Sequence, residues 1–312
     1  MLASGPIFDI ANLVLAGDKD PTTGLVNLLA ANNYKLYAGF DMAGPLSFGY
    51  VGEGLGFGLF NTTSFSLNAA SISSIKVDLH EDVLVVGGYA YRFNLGGGHA
   101  LDAGLLAKGF VRGEISEEKG LFEVESLMDP SALLSSPFTL TTGIGLDAGL
   151  RWNWEERVAV GLVCRDAYSP ALVSKYSDIS SFISNPASSH IPPTVYSKID
   201  PNLALGASWS PDLGALGHYV DGLTLAADYS DILDLFSPLP RNAILNVGIG
   251  AEVRLLEIMT VRLGIKEALL QAGMGFDLGG TRVSATAFGR ELGLEPGSRP
   301  IYDLLISFEF FP

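Results

Sequence analysis

Apolar and polar residues alternate with a period of two along most of this chain. The clearest run extends from Thr139 to Glu155. A helix, with its 3.6-residue period, would scatter the two sets around its axis, whereas a strand places successive side chains on opposite faces. The run therefore predicts a β-strand. Its apolar face would hold Leu140, Thr142, Ile144, Leu146, Ala148, Leu150, Trp152 and Trp154, and its other face Gly143, Gly145, Asp147, Gly149, Arg151 and Asn153.

The same division recurs in many other segments, and in nearly all of them the charges keep to one parity. Such a pattern predicts an all-β protein whose strands each have one apolar face. The charged residues on the second face include Asp147 and Arg151, then Glu252 and Arg254, then Arg262 and Lys266.

Two architectures bury such faces. A β-sandwich turns its apolar faces inward, and a transmembrane barrel turns them toward lipid, with the polar faces lining a lumen. The abundance of glycine on the polar face suits a crowded, curved lumen better than a solvated exterior. Tryptophan and tyrosine also gather near strand ends, as at membrane interfaces. These residues are Trp152, Trp154, Trp209, Tyr229, Tyr89 and Tyr91.

The connections between the predicted strands are asymmetric. The two longest loops, Glu114–Phe138 and Asp166–Asp200, fall on the same side when the connections are alternated outside and inside from the C-terminus. Most of the tight turns then fall on the opposite, periplasmic side, as in outer-membrane barrels. The sequence predicts an antiparallel transmembrane β-barrel of about fourteen strands.

The glycine-rich stretch GYVGEGLGFGLF, residues 49–60, raises the question of a phosphate-binding loop. Such loops need glycines at uneven offsets before a helix, and here they recur at every second residue. The spacing predicts one membrane strand, with Leu55, Phe57 and Leu59 toward lipid and the glycines toward the lumen.

Composition agrees with a barrel. The 312 residues are 48% hydrophobic and 17% charged, with a mean hydropathy of +0.32, but no long uninterrupted apolar helix is present. The formal net charge of −15 excludes the basic surface of a nucleic-acid-binding protein. The single cysteine, Cys164, excludes an internal disulfide framework and alternates with Val160 and Leu162 as a small apolar strand residue.

The last predicted strand, residues 302–311, places Tyr302, Leu304, Ile306, Phe308 and Phe310 on one face. It resembles the C-terminal signal by which bacterial outer-membrane barrels are recognised for assembly. The resemblance implies the barrel-assembly machinery as a partner and the outer membrane of a diderm bacterium as the location. The chain departs from that signal in ending on Pro312 rather than on the aromatic residue.

Residues 1–33 differ from the barrel, residues 34–312. Ile7, Ile10 and Val14 recur at helical spacing, and Pro21 can begin a second helix. By the strand count this segment lies on the periplasmic side, either as a plug within the lumen or as a periplasmic extension. Residues 1–5 lack the basic and apolar regions of a secretory signal, which is compatible with a chain that is not exported or with a mature form.

Fourteen strands and an N-terminal plug resemble the FadL-like outer-membrane channels for long-chain fatty acids and other hydrophobic compounds. The resemblance covers nearly the whole chain but concerns architecture alone. The family often carries an N-terminal Asn-Pro-Ala signature, and the one such tripeptide here, residues 185–187, falls in a predicted loop. We therefore transfer no residue role from the family to this chain.

Candidate catalytic and metal-binding residues are sparse. His80, His99, His190 and His218 fall in or beside predicted turns, and no nucleophile motif accompanies them. Asp228, Asp231 and Asp234 lack the spacing of a calcium-binding loop. We therefore expect no enzymatic activity, no cofactor and no metal.

The sequence leaves three functions open. A plugged channel for hydrophobic small molecules would meet its ligand at apolar residues of the outer loop, Leu127, Met128, Leu133 and Leu134. The alternatives are a non-transporting barrel, with a structural, surface-interaction or secretion-associated role, and a general aqueous porin. The charges that face the lumen would brace the wall in ion pairs or form a polar selectivity surface.

Overall fold

The structure is one closed antiparallel β-barrel. A computed structural model describes residues 1–15, 21–32, 35–44, 47–71, 73–120, 132, 135–214, 217 and 220–310. Within these residues there are seventeen strand segments, all in one sheet. They are β1 (Leu2–Ser4), β2 (Leu36–Ala43), β3 (Phe48–Gly52), β4 (Leu55–Ser71), β5 (Ser74–Gly96), β6 (His99–Lys119), β7 (Phe138–Trp154), β8 (Val158–Tyr168), β9 (Pro170–Tyr176), β10 (His190–Lys198), β11 (Asn202–Trp209), β12 (Val220–Tyr229), β13 (Val247–Leu255), β14 (Met259–Lys266), β15 (Leu269–Asp277), β16 (Thr281–Glu291) and β17 (Pro300–Phe310).

Short helices connect some of these strands. They are α1 (Ile7–Leu15), α2 (Pro21–Ala31), α3 (Ile179–Ser184) and α4 (Pro186–Ser189), with 3-10 helices at Ile232–Phe236 and Ala243–Asn246. In the part of the chain that the structure describes, no helix is long and apolar enough to cross a membrane.

The seventeen segments occupy fourteen positions around the barrel. The pairs β2 with β3, β8 with β9, and β10 with β11 each continue one another along shared neighbours. The ring closes through β1, which pairs with β17 on one side and with β2 on the other. The predicted all-β barrel of about fourteen strands is confirmed.

The two faces of the wall differ in chemistry, as the alternation predicts. Apolar side chains on the outer face are exposed, such as Leu105 at 68%, Ile249 at 62% and Leu263 at 62%. The charged residues of the intervening positions point into the lumen and pair with one another there. Because this outer surface is apolar, it matches a hydrocarbon environment, and the barrel is of the transmembrane type.

The barrel ends differ in the length of their connections. One end, the turn end, carries tight turns after β3, β5, β7, β13 and β15 together with the last described residue of β17. The opposite end, the loop end, carries the connections from β6 to β7, from β9 to β10, from β12 to β13 and from β16 to β17. The connection from β11 to β12 also lies at the turn end, and the short connections from β4 to β5 and from β14 to β15 lie at the loop end. The other connections agree with the asymmetry that the sequence predicts.

The wall is much taller on one side. Strands β4, β5, β6 and β7 contain 17, 23, 21 and 17 residues. Strands β12 to β16 contain only eight to eleven. Since about ten residues span the hydrocarbon layer, the tall side extends well beyond it at the loop end.

Helices α1 and α2 cover the outer face of this tall side. Their residues Ile7, Ile10, Leu25 and Leu29 are buried. They pack against the apolar outer positions of β2, β4 and β5. Those positions are Leu36, Ala38, Leu67, Ala69, Ile75 and Val77.

The predicted side of the N-terminal segment is wrong. Residues Leu2–Ser4 already form a strand of the barrel, so the helices that follow lie at the loop end rather than at the turn end. Their described residues contact the outer face instead of entering the lumen, because the apolar positions that accept them belong to the lipid-facing parity.

The stretch GYVGEGLGFGLF is two strands, not one. β3 ends at Gly52 and β4 begins at Leu55, and these two residues pair across a tight turn. Glu53 and Gly54 both have a positive φ, 50° and 82°, as such turns require. Gly52 and Leu55 are three residues apart and share one face, so the turn shifts the parity by one. Gly52 therefore lies on the outer face rather than in the predicted lumenal row, and the even spacing of the glycines conceals the turn. Leu55 and Phe57 face outward and Gly56 and Gly58 face the lumen, as expected.

Two predicted loops contain long strand extensions. β6 continues to Lys119, so Glu114, Glu117 and Glu118 belong to a strand rather than to a loop. The range Asp166–Asp200 contains β9 and β10, which pair with each other and extend the wall at the loop end. The sequence pattern weakens there because these extensions no longer face lipid.

Truncation of a buried helix residue tests the attachment of α1 and α2. Leu25 is fully buried, and Leu25→Ala is expected to destabilise the helix pair by about 3 kcal/mol through lost burial and the cavity left behind. Limited proteolysis should then cut between residues 7 and 31 faster, with the barrel itself intact. Phe8→Ala, at a side chain that is 59% exposed, is the matched control and should not accelerate cleavage. Unchanged cleavage of Leu25→Ala would contradict the described packing.

Candidate functional site

The lumen is lined by ion pairs distributed over most of its circumference. Each charged residue on the inner face must meet an opposite charge or water, because an unpaired charge in a narrow, partly dry space is costly. Most of the lumenal cations lie within 4.0 Å of a carboxylate. The pairs are Arg92–Asp102, Arg112–Asp82, Lys108–Asp147, Lys108–Asp166, Arg262–Glu252, Lys266–Asp228 and Arg290–Asp303.

Lys108 on β6 is the centre of the most enclosed group. Its Nζ lies 2.9 Å from Oδ1 of Asp147 and 2.8 Å from Oδ1 of Asp166. Its side chain is 14% exposed, and the two carboxylates are each 17% exposed. Lys108 therefore connects β7 to the end of β8.

Asp166 reaches Lys108 because β8 bulges. Three residues, Arg165 to Ala167, lie between the paired positions Cys164 and Tyr168, opposite the single residue Asp147. Asp166 has a positive φ of 53°, and its N–H donates to Oδ1 of Asp147 at 2.7 Å. The lysine and this hydrogen bond together hold the bulge against the neighbouring strand.

Two arginines hold carboxylates of the adjacent strand in bidentate pairs. In Arg112, Nε and Nη2 lie 2.6 and 2.8 Å from the carboxylate oxygens of Asp82. In Arg92, the same atoms lie 2.6 and 3.1 Å from those of Asp102, which also accepts from Nδ2 of Asn153 at 2.7 Å. Both geometries fix β5 against β6 and leave few donors for a ligand.

The six predicted lumen-facing residues occupy four places. Asp147 belongs to the Lys108 group. Glu252 accepts from Nε of Arg262 at 2.8 Å and from Nε of Arg254 at 3.4 Å. Lys266 lies 3.3 Å from Asp228. Arg151 lies on the same inner face of β7, near Asp102.

Three loops on the low side are tied together at the loop end. Arg241 donates to the carboxylate of Glu267 at 3.2 and 3.3 Å and to the carbonyl of Gly293 at 3.2 Å. The buried carboxylate of Glu291 accepts N–H groups of Gly293, Gly297 and Arg299. Burial alone would raise the pKa of Glu291, but these donors outweigh it and hold the pKa below its ordinary value. This carboxylate thereby orders the connection from β16 to β17.

An apolar row crosses the lumenal wall between the two bidentate pairs. Phe60 of β4 pairs with Leu84 of β5, which pairs with Phe110 of β6. All three side chains belong to the inward parity. Val86, the next inward residue of β5 toward the turn end, and Leu106, the second inward residue of β6 in that direction, extend the row into a patch, with Lys108 between Phe110 and Leu106. These five residues form the lumenal apolar patch, which lies among the ion pairs of the wall.

One residue of the patch, Phe110, depends on a glycine of the neighbouring strand for its space. Phe110 covers Gly143 of β7, where a Cβ atom would collide with the Phe110 ring. A larger residue at position 143 would displace the ring, so the flat lumenal surface depends on this close approach.

The other predicted residues are dispersed. Leu127, Met128, Leu133 and Leu134 lie outside the described residues, as does His218. His80 lies on the inner face of β5, His99 stacks on Trp152 and Trp154 at the turn end, and Nε2 of His190 lies 3.0 Å from Oγ1 of Thr194.

No metal centre is assembled in the described ranges. Asp228 pairs with Lys266, and Asp234 accepts from the N–H of Arg241 at 2.9 Å, so these carboxylates serve separate contacts. Within those ranges, no group of three or more histidine, cysteine, aspartate or glutamate residues is placed to hold an ion.

Sequence reasoning missed the apolar patch and the partner of Lys108. Four residues of the patch occupy strand positions that otherwise hold polar, lumen-facing residues: Leu84, Val86, Leu106 and Phe110. An apolar residue at such a position is the signal that could have indicated the patch. Asp166 was not identifiable, since a bulge shifts it out of the alternation. The sequence could have indicated the Arg92 and Arg112 pairs, because both arginines and their carboxylates share one parity.

Comparison with known proteins yields structural likenesses only. No family model and no curated protein matches the chain. Among solved structures, it is similar to the CymD monoaromatic hydrocarbon channel, with a TM-score of 0.40 and 11% identity over 87% of this chain and 81% of that one. It is also similar to BauA, the ferric preacinetobactin receptor from Acinetobacter baumannii, with a TM-score of 0.27 and 10% identity over 82% of this chain and 46% of that one.

The fold assignment rests on this chain's own strand pairing. The barrel architecture that underlies the resemblance to FadL-like channels is confirmed, while the described helices contact the outer face.

Removal of the Lys108 charge tests the enclosed group. Lys108→Met leaves Asp147 and Asp166 facing each other without a cation, and we expect the free energy of unfolding to fall by about 2 kcal/mol. Urea titration of the folded barrel measures the change. Adding Asp166→Asn should restore part of the loss, because it removes one of the two repelling charges. Lys198→Met is the control, since that lysine is 72% exposed and 3.9 Å from Asp200. An equal fall in the free energy of unfolding of Lys198→Met would show that the enclosed group contributes no more to stability than an exposed ion pair.

Proposed function

We propose that the protein is an outer-membrane channel for the passive uptake of hydrophobic small molecules. The observation that supports this proposal is the lumenal apolar patch, Phe60, Leu84, Val86, Leu106 and Phe110. A purely aqueous pore gains nothing from five apolar side chains turned into its lumen, because their exposure to water is unfavourable. A hydrophobic solute that covers them recovers about 25 cal/mol per Å² of apolar area removed from water.

The charged wall has a complementary role in this proposal. Bidentate and shared ion pairs hold the strands in register and keep the lumen hydrated at its two ends. Because these charges are paired with each other, a neutral solute can pass them without breaking a contact. The solute would thus dwell at the patch and move on by diffusion, with no energy source.

The patch is tested by making it polar. In Leu84→Asn the apolar row is interrupted at its centre, and we expect the affinity for naphthalene to fall at least five-fold. Binding is measured with radiolabelled naphthalene by equilibrium dialysis of barrels in lipid nanodiscs, with empty nanodiscs subtracted. Ala226→Asn, on the lumenal face of β12 across the barrel, adds a similar polar group and should leave binding unchanged. Equal binding by wild type and Leu84→Asn would remove the support for this function.

Conductance separates the channel from a general porin. Because the wall charges are paired with one another and the apolar patch disfavours hydrated ions, we expect the reconstituted protein to give a much smaller steady conductance than an open barrel of the same strand number. Planar-bilayer recording in potassium chloride measures this conductance. A large ohmic conductance together with an absence of naphthalene binding would favour the porin.

A further inference from the structure

A shallow cavity of about 440 Å³, open to the lumen, lies against the inner face of β3 to β8, next to the lumenal apolar patch. Leu106 belongs to both. Val51 and Val163 also line the cavity, together with Asp147 and Arg165. Its wall is therefore apolar over much of its area and carries charge at one margin.

Arg165 differs from most other lumenal cations. It follows Cys164 at the start of the β8 bulge, and it is paired in the sheet with Asn202 on the inward parity. Its side chain is exposed to the lumen, and within the part of the chain that the structure describes no carboxylate lies in ion-pair distance of it.

The neighbouring carboxylates are directed elsewhere. Asp147 and Asp166 both point to Nζ of Lys108, at 2.9 and 2.8 Å. Oδ1 of Asp147 also accepts a hydrogen bond from the backbone N–H of Asp166. The guanidinium of Arg165 thus keeps its donors available at the margin of an apolar cavity. A guanidinium fork matches the two oxygens of a carboxylate or a sulfonate.

We propose that this cavity binds a compact amphipathic organic anion, with its acidic group on Arg165 and its apolar part against Val51, Leu106 and Val163. This inference rests on the proposed uptake of hydrophobic molecules and names the class of ligand for the same lumen. The volume is at the lower end of small-molecule sites, which suits a ligand of one or two rings.

The charge contribution is moderate, because Arg165 is in contact with water in the lumen. Solvent and salt screen an exposed charge pair, whereas the hydrogen bonds of a bidentate contact are retained. We therefore expect a preference of about ten-fold for an anion over its neutral analogue, equivalent to about 1.4 kcal/mol.

The experiment compares two probes that differ in charge alone. 4-Butylbenzoate and 4-butylbenzyl alcohol are titrated at pH 8 into barrels in zwitterionic nanodiscs by calorimetry, with empty nanodiscs subtracted. Wild type should bind the benzoate about ten-fold more tightly. Arg165→Met keeps the length of the side chain and should reduce the benzoate affinity to that of the alcohol. Lys175→Met, a cation on the same inner face of β9 outside the cavity, should retain the preference.

Two further variants locate the site and its size. Val163→Trp fills the cavity and should weaken both probes. Octadecanoate exceeds the cavity in length and is expected to bind no more tightly than the benzoate.

The outcomes separate the two proposals. If wild type binds both probes equally, or if Arg165→Met keeps the preference, the assignment to Arg165 is overturned while uptake of hydrophobic molecules stands. If neither probe binds and naphthalene does not bind either, the proposed function itself fails. Much tighter binding of octadecanoate than of the benzoate would overturn the inference that the ligand is compact.

Discussion

The structure depends on one constraint: inside hydrocarbon, a backbone N–H or C=O group that lacks a partner costs several kcal/mol. A sheet meets this constraint only if it closes, because every open edge presents a row of such groups. Here closure runs through the three-residue strand β1, which pairs with β17 and β2. Alternation of side chains then follows from the pleat, and one face of every strand must suit lipid while the other must suit a confined lumen.

The confined lumen explains why the charges are arranged in pairs. An inner wall made only of apolar residues would collapse or exclude water, and one with unpaired charges would be strongly unfavourable. The wall between β5 and β6 combines both chemistries, since two bidentate arginine pairs flank the row Phe60, Leu84 and Phe110. One arginine pair thus holds β5 and β6 together on each side of the row, and the row provides an apolar surface between the two pairs.

The period-two pattern allowed the fold class, the approximate strand number and the lipid-facing residues to be predicted, because burial by lipid acts on every second residue. The pattern gives no information about turns and bulges, where the regular spacing continues or breaks for reasons other than contact with lipid. The turn at Glu53 and Gly54 shifts the parity by one, but glycines at every second residue continue through it, so it was hidden inside an apparent strand. The strand Leu2–Ser4 is too short to show a period.

The candidate site was less predictable than the fold. The Arg112 pair with Asp82 follows from parity, but its partner choice depends on the register between strands, which one sequence does not specify. Asp166 entered the Lys108 group through a bulge, which the alternation does not reveal. The apolar patch required knowing that Phe60, Leu84 and Phe110 lie in one row across three strands, and this is a property of the sheet rather than of any segment.

The unequal heights of the wall give the molecule a slanted rim. β5 has 23 residues, and the part beyond the hydrocarbon layer rises by about 30 Å at the usual strand tilt. Among the described residues, β4 and β5 therefore extend far beyond the hydrocarbon layer at the loop end, while the short connection between β14 and β15 stays close to the bilayer surface. A bulky particle that approaches the loop end would meet this tall side first, and the mouth beside it would remain accessible to small solutes from the low side.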